Sequence, residues 1–288
     1  MKNISPSNIL ISCQGPNKYP YTLESTCLFK SIELYGGKLS KSQKTACFTG
    51  IIDSETSTIL SSLNVKTEIF NEIPGWKHSN KVQLLDQKMN SYFDILVTLD
   101  TDTVVLKDFS NFIDDEKILG RIEGYDPLGI QKWMQICNYF GIDLPSKRFV
   151  APLSQEIIIQ FPTSGVLIFP KKFIKDMSKS WKFFINNLFA FYEKFPEYST
   201  AKYYTDEIAL TLAILYEKIP FEPLPLEMNF QTHCLWPIQS HPENSDPYIL
   251  HHSHRISKNG NIRLGYFDTI NNKIKQMNLF KDRTIDLE

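Results

Sequence analysis

Asp100 and Asp102 stand one residue apart between two apolar runs, Ile95-Leu96-Val97-Thr98-Leu99 before them and Val104-Val105-Leu106 after. Along an extended backbone, residues i and i+2 point to the same side, so the two carboxylates face one way and repel unless a cation lies between them. Hard divalent ions such as Mg²⁺ and Mn²⁺ take oxygen ligands of this kind, completed by substrate phosphates and water. Asp100-Thr101-Asp102 therefore reads as part of a metal–phosphate site. The competing reading is a surface turn, since Asp and Thr are ordinary turn residues; the flanking apolar runs favour the site. Three other places carry suitable groups. Lys81 stands in the first turn of a helical stretch, where the helix dipole disfavours a cation; taken alone it reads as a solvated surface lysine. Thr205-Asp206-Glu207 opens another helix, with Thr205 as its N-cap and acids in the first turn. Tyr248-Ile249-Leu250 runs into His251, His252, Ser253, His254 and Arg255, a strand entering a histidine cluster.

The elements that must position these groups follow from periodicity. Residues 95–99 form a continuous apolar run, the mark of a central strand buried on both faces. Asp100 and Asp102 then lie at its carboxyl end, where ligands bind in open α/β sheets. Upstream, strand 8–13 ends in Gln14-Gly15-Pro16, and a helix over 22–35 is closed by Gly36-Gly37. Strand 45–49, helix 55–63 and strand 66–70 continue the alternation, which predicts a doubly wound, mostly parallel sheet flanked by helices. No Gly-x-Gly-x-x-Gly or Walker-type loop is present, which disfavours a dinucleotide or P-loop site. Asn80-Lys81-Val82-Gln83 matches a capping box, with Val82, Leu85, Met89, Tyr92 and Phe93 on one helical face. Downstream come a strand over 117–122, a helix over 130–140, and apolar runs 156–161 and 166–169 joined through Pro162-Thr163-Ser164-Gly165. Residues 175–195 make an amphipathic helix whose aromatics at helical spacing belong to a core. The tail, 263–288, is polar and expected to wrap the surface. No repeat or linker divides the chain, so one domain is expected over 1–288.

Composition narrows the classes. The 288 residues carry 20 Phe and 13 Tyr, and a formal net charge of −1 with no basic block. Binding to nucleic acid through a global field is thereby disfavoured. The five cysteines (Cys13, Cys27, Cys47, Cys137 and Cys234) are scattered, odd in number and without Cys-x-x-Cys. They read as structural thiols of a reduced compartment. The amino terminus lacks the apolar core of a signal peptide, and no apolar run reaches transmembrane length; a cytoplasmic protein is expected.

With Asp100, Asp102, Ser164-Gly165, Asp206 and His251 in this order, the chain resembles the nucleotide-sugar-dependent glycosyltransferases of GT-A fold, and most of all the glycogenin and lipopolysaccharide-galactosyltransferase-like family. The matching pieces are Lys81, the stretch Val97 to Val105, Phe161 to Ile168, Tyr204-Thr205-Asp206-Glu207, and Ile249-Leu250-His251. The resemblance implies a single GT-A-type domain, with a nucleotide-binding half over 1–107, an acceptor and sugar half over 108–262 and the tail over 263–288, in which Asp100, Asp102 and His251 bind Mn²⁺ or Mg²⁺. The ion would hold the diphosphate of a nucleotide-sugar, a UDP-sugar by the resemblance, and stabilise charge on the leaving nucleotide. The sugar moves to a glycan, lipid-linked or protein acceptor. Lys81 would neutralise phosphate or touch the donor sugar and, with Asp206, stand nearest the chemistry. Ser164, Gly165 and Asp206 would line the sugar pocket, Thr101 would sit with the donor, and Ser12 would lie near the nucleoside. The family often follows its histidine with Phe and a later Lys-Pro-Trp; here His252-Ser253-His254-Arg255 follows, leaving Arg255 and Lys258 as the cations for the diphosphate. His251, His252 and His254 compete for the metal, and the position directly after Ile249-Leu250 selects His251. His252 and His254 are expected at the surface or beside the ligands, and Glu207 in solvent. The resemblance leans to retention of anomeric configuration.

Two rivals use the same residues. Phosphatases of the haloacid-dehalogenase type carry Asp-x-Asp at a strand end, the first Asp being a nucleophile. Their motif usually lies on the first strand, with later aspartates closing the site; here it lies a third of the way along, with no later Gly-Asp-x-x-x-Asp. The second rival is a sugar-nucleotide-binding protein without turnover.

Overall fold

The computed structural model describes residues 4–89, 91–231, 245–263 and 268–283. Its elements are β1 (Ile9–Pro16), α1 (Tyr21–Tyr35), β2 (Gln43–Thr49), α2 (Ser54–Ser62), β3 (Val65–Phe70), α3 (Gln83–Lys88), β4 (Ile95–Asp100), β5 (Thr103–Val105), β6 (Ile118–Ile122) and α4 (Gly129–Phe140). There follow β7 (Phe149–Val150), β8 (Ile157–Ile158), β9 (Pro162–Pro170), α5 (Lys171–Lys194), α6 (Thr205–Tyr216), β10 (Phe221–Leu224), β11 (Phe230–Gln231), β12 (Ile249–His251) and α7 (Asp268–Arg283). The main sheet has seven strands in the order β10-β6-β9-β4-β1-β2-β3, with β4 at its centre. β1 and β2, β2 and β3, and β10 and β6 pair parallel, whereas β6 and β9 pair antiparallel. A smaller sheet, β11-β12-β5, pairs β12 antiparallel to β5 with His251 opposite Thr103.

The chain packs as two compact units: Ile4–Asn71 with Val97–Ile113 and Pro225–Glu288, and Glu72–Leu96 with Asp114–Leu224. In the first, β1, α1, β2, α2 and β3 alternate. Ile9, Leu10, Ile11 and Cys13 on β1 are all buried, as a strand covered on both faces requires. β1 runs on to Pro16, past the expected break at Gln14, because its register with β2 continues to Pro16 opposite Thr49. Proline there is the last strand residue, where its missing N–H interrupts no further ladder. α2 starts where Asp53 accepts the Thr56 N–H at 2.7 Å and the Thr56 hydroxyl at 2.8 Å, a side-chain N-cap. The tail expected to wrap the surface contains a helix instead, α7. Ile270, Ile274 and Met277 sit on one of its faces, buried in a core with Val104, Leu106, Phe230, Leu250 and Ile262.

In the second unit, α5 buries Trp181, Phe184, Ile185, Leu188, Phe191 and Tyr192 along one stripe, as its periodicity predicts. α6 is buried on nearly every side, from Ile208 to Ile214, and the Trp181 indole donates to the Asp206 carbonyl at 2.8 Å. α4 ends on Gly141 in the left-handed region, a C-cap that favours glycine. Three readings need correction here. Pro162-Thr163-Ser164-Gly165 is not a connector but the buried start of β9, with the proline at the tolerated first strand position. Asn80 does not cap an α-helix: it lies in a 3₁₀ turn over Lys77–Val82, and its carbonyl oxygen is taken by the Ile73 N–H and the Gln83 amide, both at 2.8 Å. α3 is consequently only six residues long, and Met89 and Tyr92 face solvent. Thr205 is already inside α6, its hydroxyl donating back to the Lys202 carbonyl at 2.8 Å, so it is no N-cap.

Candidate functional site

The first unit holds the metal-type cluster. β4 ends at Asp100, a tight turn carries Thr101 and Asp102, and β5 begins at Thr103. The Thr103 hydroxyl closes that turn by donating to the Asp100 carbonyl at 2.7 Å. β12 runs beside it, and the His252 N–H donates to the Asp102 carbonyl at 2.9 Å. This pairing brings the carboxylate oxygens of Asp100 and Asp102 and a ring nitrogen of His251 within 4.8 Å of one another. His251 Nε2 lies 3.1 Å from Asp102 Oδ1, and its Nδ1 lies 3.0 Å from Asn229 Oδ1. With Nδ1 donating to the Asn229 oxygen, Nε2 is the nitrogen that faces Asp102 and that a metal could take. Asp102 and His251 are buried and Asp100 is half-buried. A buried carboxylate and imidazole with one more open carboxylate fit a divalent ion that keeps positions for phosphate or water.

Burial acts to raise the Asp102 carboxyl, but His251, through charge and hydrogen bond, with the charges of His252 and His254, holds it well below the ordinary carboxylate range. His252 has no exposed surface, and burial pushes its imidazole down to about 4 against the pull of Asp102. Of the two places expected for it, the surface or beside the ligands, it takes the second, since its N–H donates to the Asp102 carbonyl. Lys258 is exposed, and Arg255 is partly buried on the turn after β12. Thr101 is buried and its hydroxyl donates to Glu24 at 3.2 Å. Ser12 also has no exposed surface; its hydroxyl packs 3.9 Å from Cys47 Sγ inside β1 rather than at a strand end open to a nucleoside. Cys13, Cys27, Cys47 and Cys137 are all buried and form no disulfide among the described residues, and Cys234 lies outside them.

The second unit holds a different cluster. The Lys81 ammonium donates to Ser164 Oγ at 2.9 Å, and Ser164 Oγ donates to Asp206 Oδ2 at 2.8 Å. Lys81 and Asp206 are 3.8 Å apart with side chains 16 % and 7 % exposed, so the lysine is not the solvated one its helix position suggested alone. Gly165 follows within buried β9. Glu207 was expected in solvent; instead its carboxylate accepts the Ser164 N–H at 3.2 Å. Burial first, then the charges of Glu123 and Asp206, push its carboxyl well above the ordinary range, against the pull of Lys81. β9 and the start of α6 thus bring a lysine, a serine and two acids together from three separate sequence segments. Sequence reasoning missed Asn229, Glu24 and the role of Glu207. Each is a single polar residue in an ordinary setting, and no spacing marks it.

No known family profile and no curated protein matches this sequence. Solved structures do match. Mouse xyloside xylosyltransferase 1, in its apo form, is 14 % identical with a TM-score of 0.50, over 85 % of this chain and 97 % of that one. The glycosyltransferase GlyE of Streptococcus pneumoniae TIGR4 is 15 % identical with a TM-score of 0.54, over 96 % of this chain. The chain spans 64 % of GlyE's length. At such identity the likeness establishes the fold: a glycosyltransferase fold of GT-A type, with the Asp-x-Asp at the end of its central strand.

Proposed function

We propose that this chain is a metal-dependent glycosyltransferase, a single catalytic domain that moves a sugar from a nucleoside-diphosphate donor, a UDP-sugar, to a glycan, lipid-linked or protein acceptor. The observation that carries it is the convergence of Asp100, Asp102 and His251 within 4.8 Å at the end of the central strand. When bound there, Mn²⁺ or Mg²⁺ supplies Lewis-acid stabilisation of the negative charge on the departing diphosphate. Asp100 and Asp102 offer oxygen ligands, and His251 offers Nε2 because Asn229 holds its other nitrogen. Lys81, Ser164 and Asp206 supply a cation, a hydroxyl and a carboxylate in one hydrogen-bonded chain, the chemistry that reads a donor sugar's hydroxyls and a phosphate. Arg255 provides a further cation for the diphosphate. No helix among the described residues is long and apolar enough to cross a membrane, and a cytoplasmic site of action is part of this reading.

The test is thermal stability and calorimetry with UDP, GDP and their sugars, with and without Mn²⁺, for the wild type and Asp102→Ala. A ligand bound only by the native state stabilises it by RT ln(1 + [L]/Kd), about 2.7 kcal/mol at a hundredfold excess over Kd. A manganese-dependent rise with one nucleotide, absent in Asp102→Ala, is expected. No rise with any nucleotide would overturn the reading, and phosphate release from simple monoesters would then favour a haloacid-dehalogenase-type phosphatase. Nucleotide binding without sugar cleavage or transfer would leave a binding protein.

A further inference from the structure

Glu24 has no exposed surface, and a buried carboxylate is costly unless each lone pair is used. Its partners come from the two chain segments that carry the metal-type ligands. The hydroxyl of Thr101, the residue between Asp100 and Asp102, donates to Oε2 at 3.2 Å. The ring of His254, three residues after His251, has Nδ1 2.9 Å from Oε1 and 3.1 Å from Oε2. One carboxylate therefore ties the aspartate turn to the histidine turn through side chains. His254 and Ser253 both have positive φ, 59° and 46°, a conformation that costs free energy for residues other than glycine and needs outside contacts to hold it. The Glu24 bond to His254 is such a contact.

The same helix face grips the segment twice. Ser31, seven residues and two turns after Glu24 on α1, accepts the Val105 N–H through Oγ at 2.8 Å. Glu24 holds the start of the segment 101–105 and Ser31 holds its end. Ser31 meets the backbone of a regular strand, whereas Glu24 meets the turn between two ligands. Resting on the metal reading above, we propose that Glu24 is a positioning residue for the metal centre: through Thr101 and His254 it fixes the two ligand-bearing turns at the separation a divalent ion requires. It touches no reacting atom. Groups that orient metal ligands from behind are worth 10- to 100-fold in metal affinity in other proteins.

The experiment is titration of the purified full chain with Mn²⁺ alone, by calorimetry and by the paramagnetic resonance signal of the free ion, beside urea unfolding. Glu24→Met keeps the volume and removes both hydrogen bonds; a drop in Mn²⁺ affinity of about 10- to 100-fold is expected. Glu24→Gln keeps an acceptor for His254 and a polar partner for Thr101, and is expected to restore most of the affinity. Ser31→Ala loses the bond to Val105 and is expected to lower the unfolding midpoint with Mn²⁺ affinity within twofold of wild type. Should Glu24→Met fail to fold, Thr101→Val removes one of the two bonds from the other side, with a several-fold loss expected. Wild-type Mn²⁺ affinity in folded Glu24→Met, or in Thr101→Val if that variant must stand in, would overturn the inference and leave the metal reading intact. Equal losses in Glu24→Met and Ser31→Ala would also overturn it, reducing Glu24 to general support. A wild-type chain that binds no Mn²⁺ overturns the metal reading itself, and this inference with it.

Discussion

Replacing Lys81 by methionine removes the positive end of the Lys81–Ser164–Asp206 chain and leaves the Asp206 carboxylate 7 % exposed without its counter-charge. At 3.8 Å the attraction between the two charges is about 4 kcal/mol for an effective dielectric of about 20, the value suited to partly buried pairs. Breaking one side of a buried pair typically costs about 3–5 kcal/mol, because the stranded charge keeps its desolvation penalty. Lys81→Met and Asp206→Asn should therefore each destabilise by about that much. The double variant strands no charge and should cost little more than either single change, giving a coupling energy of about 2–4 kcal/mol. Ser164 stays in place throughout, so the cycle isolates the charges from the hydroxyl that links them. The assay is urea unfolding of all four proteins at pH 7, with the midpoint shift compared at constant m. Costs that simply add, to within about 0.5 kcal/mol, would mean the two charges are independent. They would then be screened by water, and the account of this cluster as a desolvated, pre-set site for donor hydroxyls would fail.

Other outcomes follow from single contacts. A Cβ on Gly15 would lie 3.1 Å from Thr101 Cγ2 and 3.1 Å from Tyr21 Cβ. Gly15→Ala should destabilise by about 1–3 kcal/mol through overpacking and weaken Mn²⁺ binding as Thr101 gives way; an unchanged unfolding midpoint would show that the turn has room. Asp53→Ala should cost about 1 kcal/mol at neutral pH through loss of the α2 cap. The backbone N–H of Thr56, then its hydroxyl, hold the Asp53 carboxyl below the ordinary range. The cap's stability is thus fully present above the unfolded value of about 3.9 and is lost as pH falls through the lower folded value. Urea midpoints of the two proteins should converge in acid and differ by a constant amount above about pH 5.

The sheet and the Asp-x-Asp turn at the end of its central strand were legible because their signals are local. A run such as Ile95-Leu96-Val97-Thr98-Leu99 declares a buried strand by itself, and the period of Trp181, Phe184, Leu188 and Phe191 declares a helix face. α7 was missed because only Ile270, Ile274 and Met277 mark its buried face within a mostly polar stretch, and their partners Val104 and Leu250 lie far away in sequence. Ser164-Gly165 was read as a connector from composition alone, since turns and strand starts share proline and small residues. Glu24 and Asn229 are each defined by what they touch. Glu24 in the first turn of α1 looks like any acid that favours a helix dipole, until folding places Thr101 and His254 against it. Glu207 is the same case: an acid in the first turn of α6 becomes a half-buried acceptor only when β9 brings the Ser164 N–H to it.

The pairing of β5 with β12 has a consequence for the order in which the protein can be made. The two aspartates leave the ribosome some 150 residues before the histidine that completes their cluster, and the core that holds β5 in place draws on residues as late as Met277. A nascent chain that has reached α6 already displays two like charges on a turn with neither Asn229 nor His251 to pair or position them. Contacts of such separation form late, because the intervening chain must close before they give any return. The metal-type cluster is thus completed only after His251 and the core residues up to Met277 have been made. A chain halted before His251 carries Asp100 and Asp102 but not the imidazole that completes the cluster.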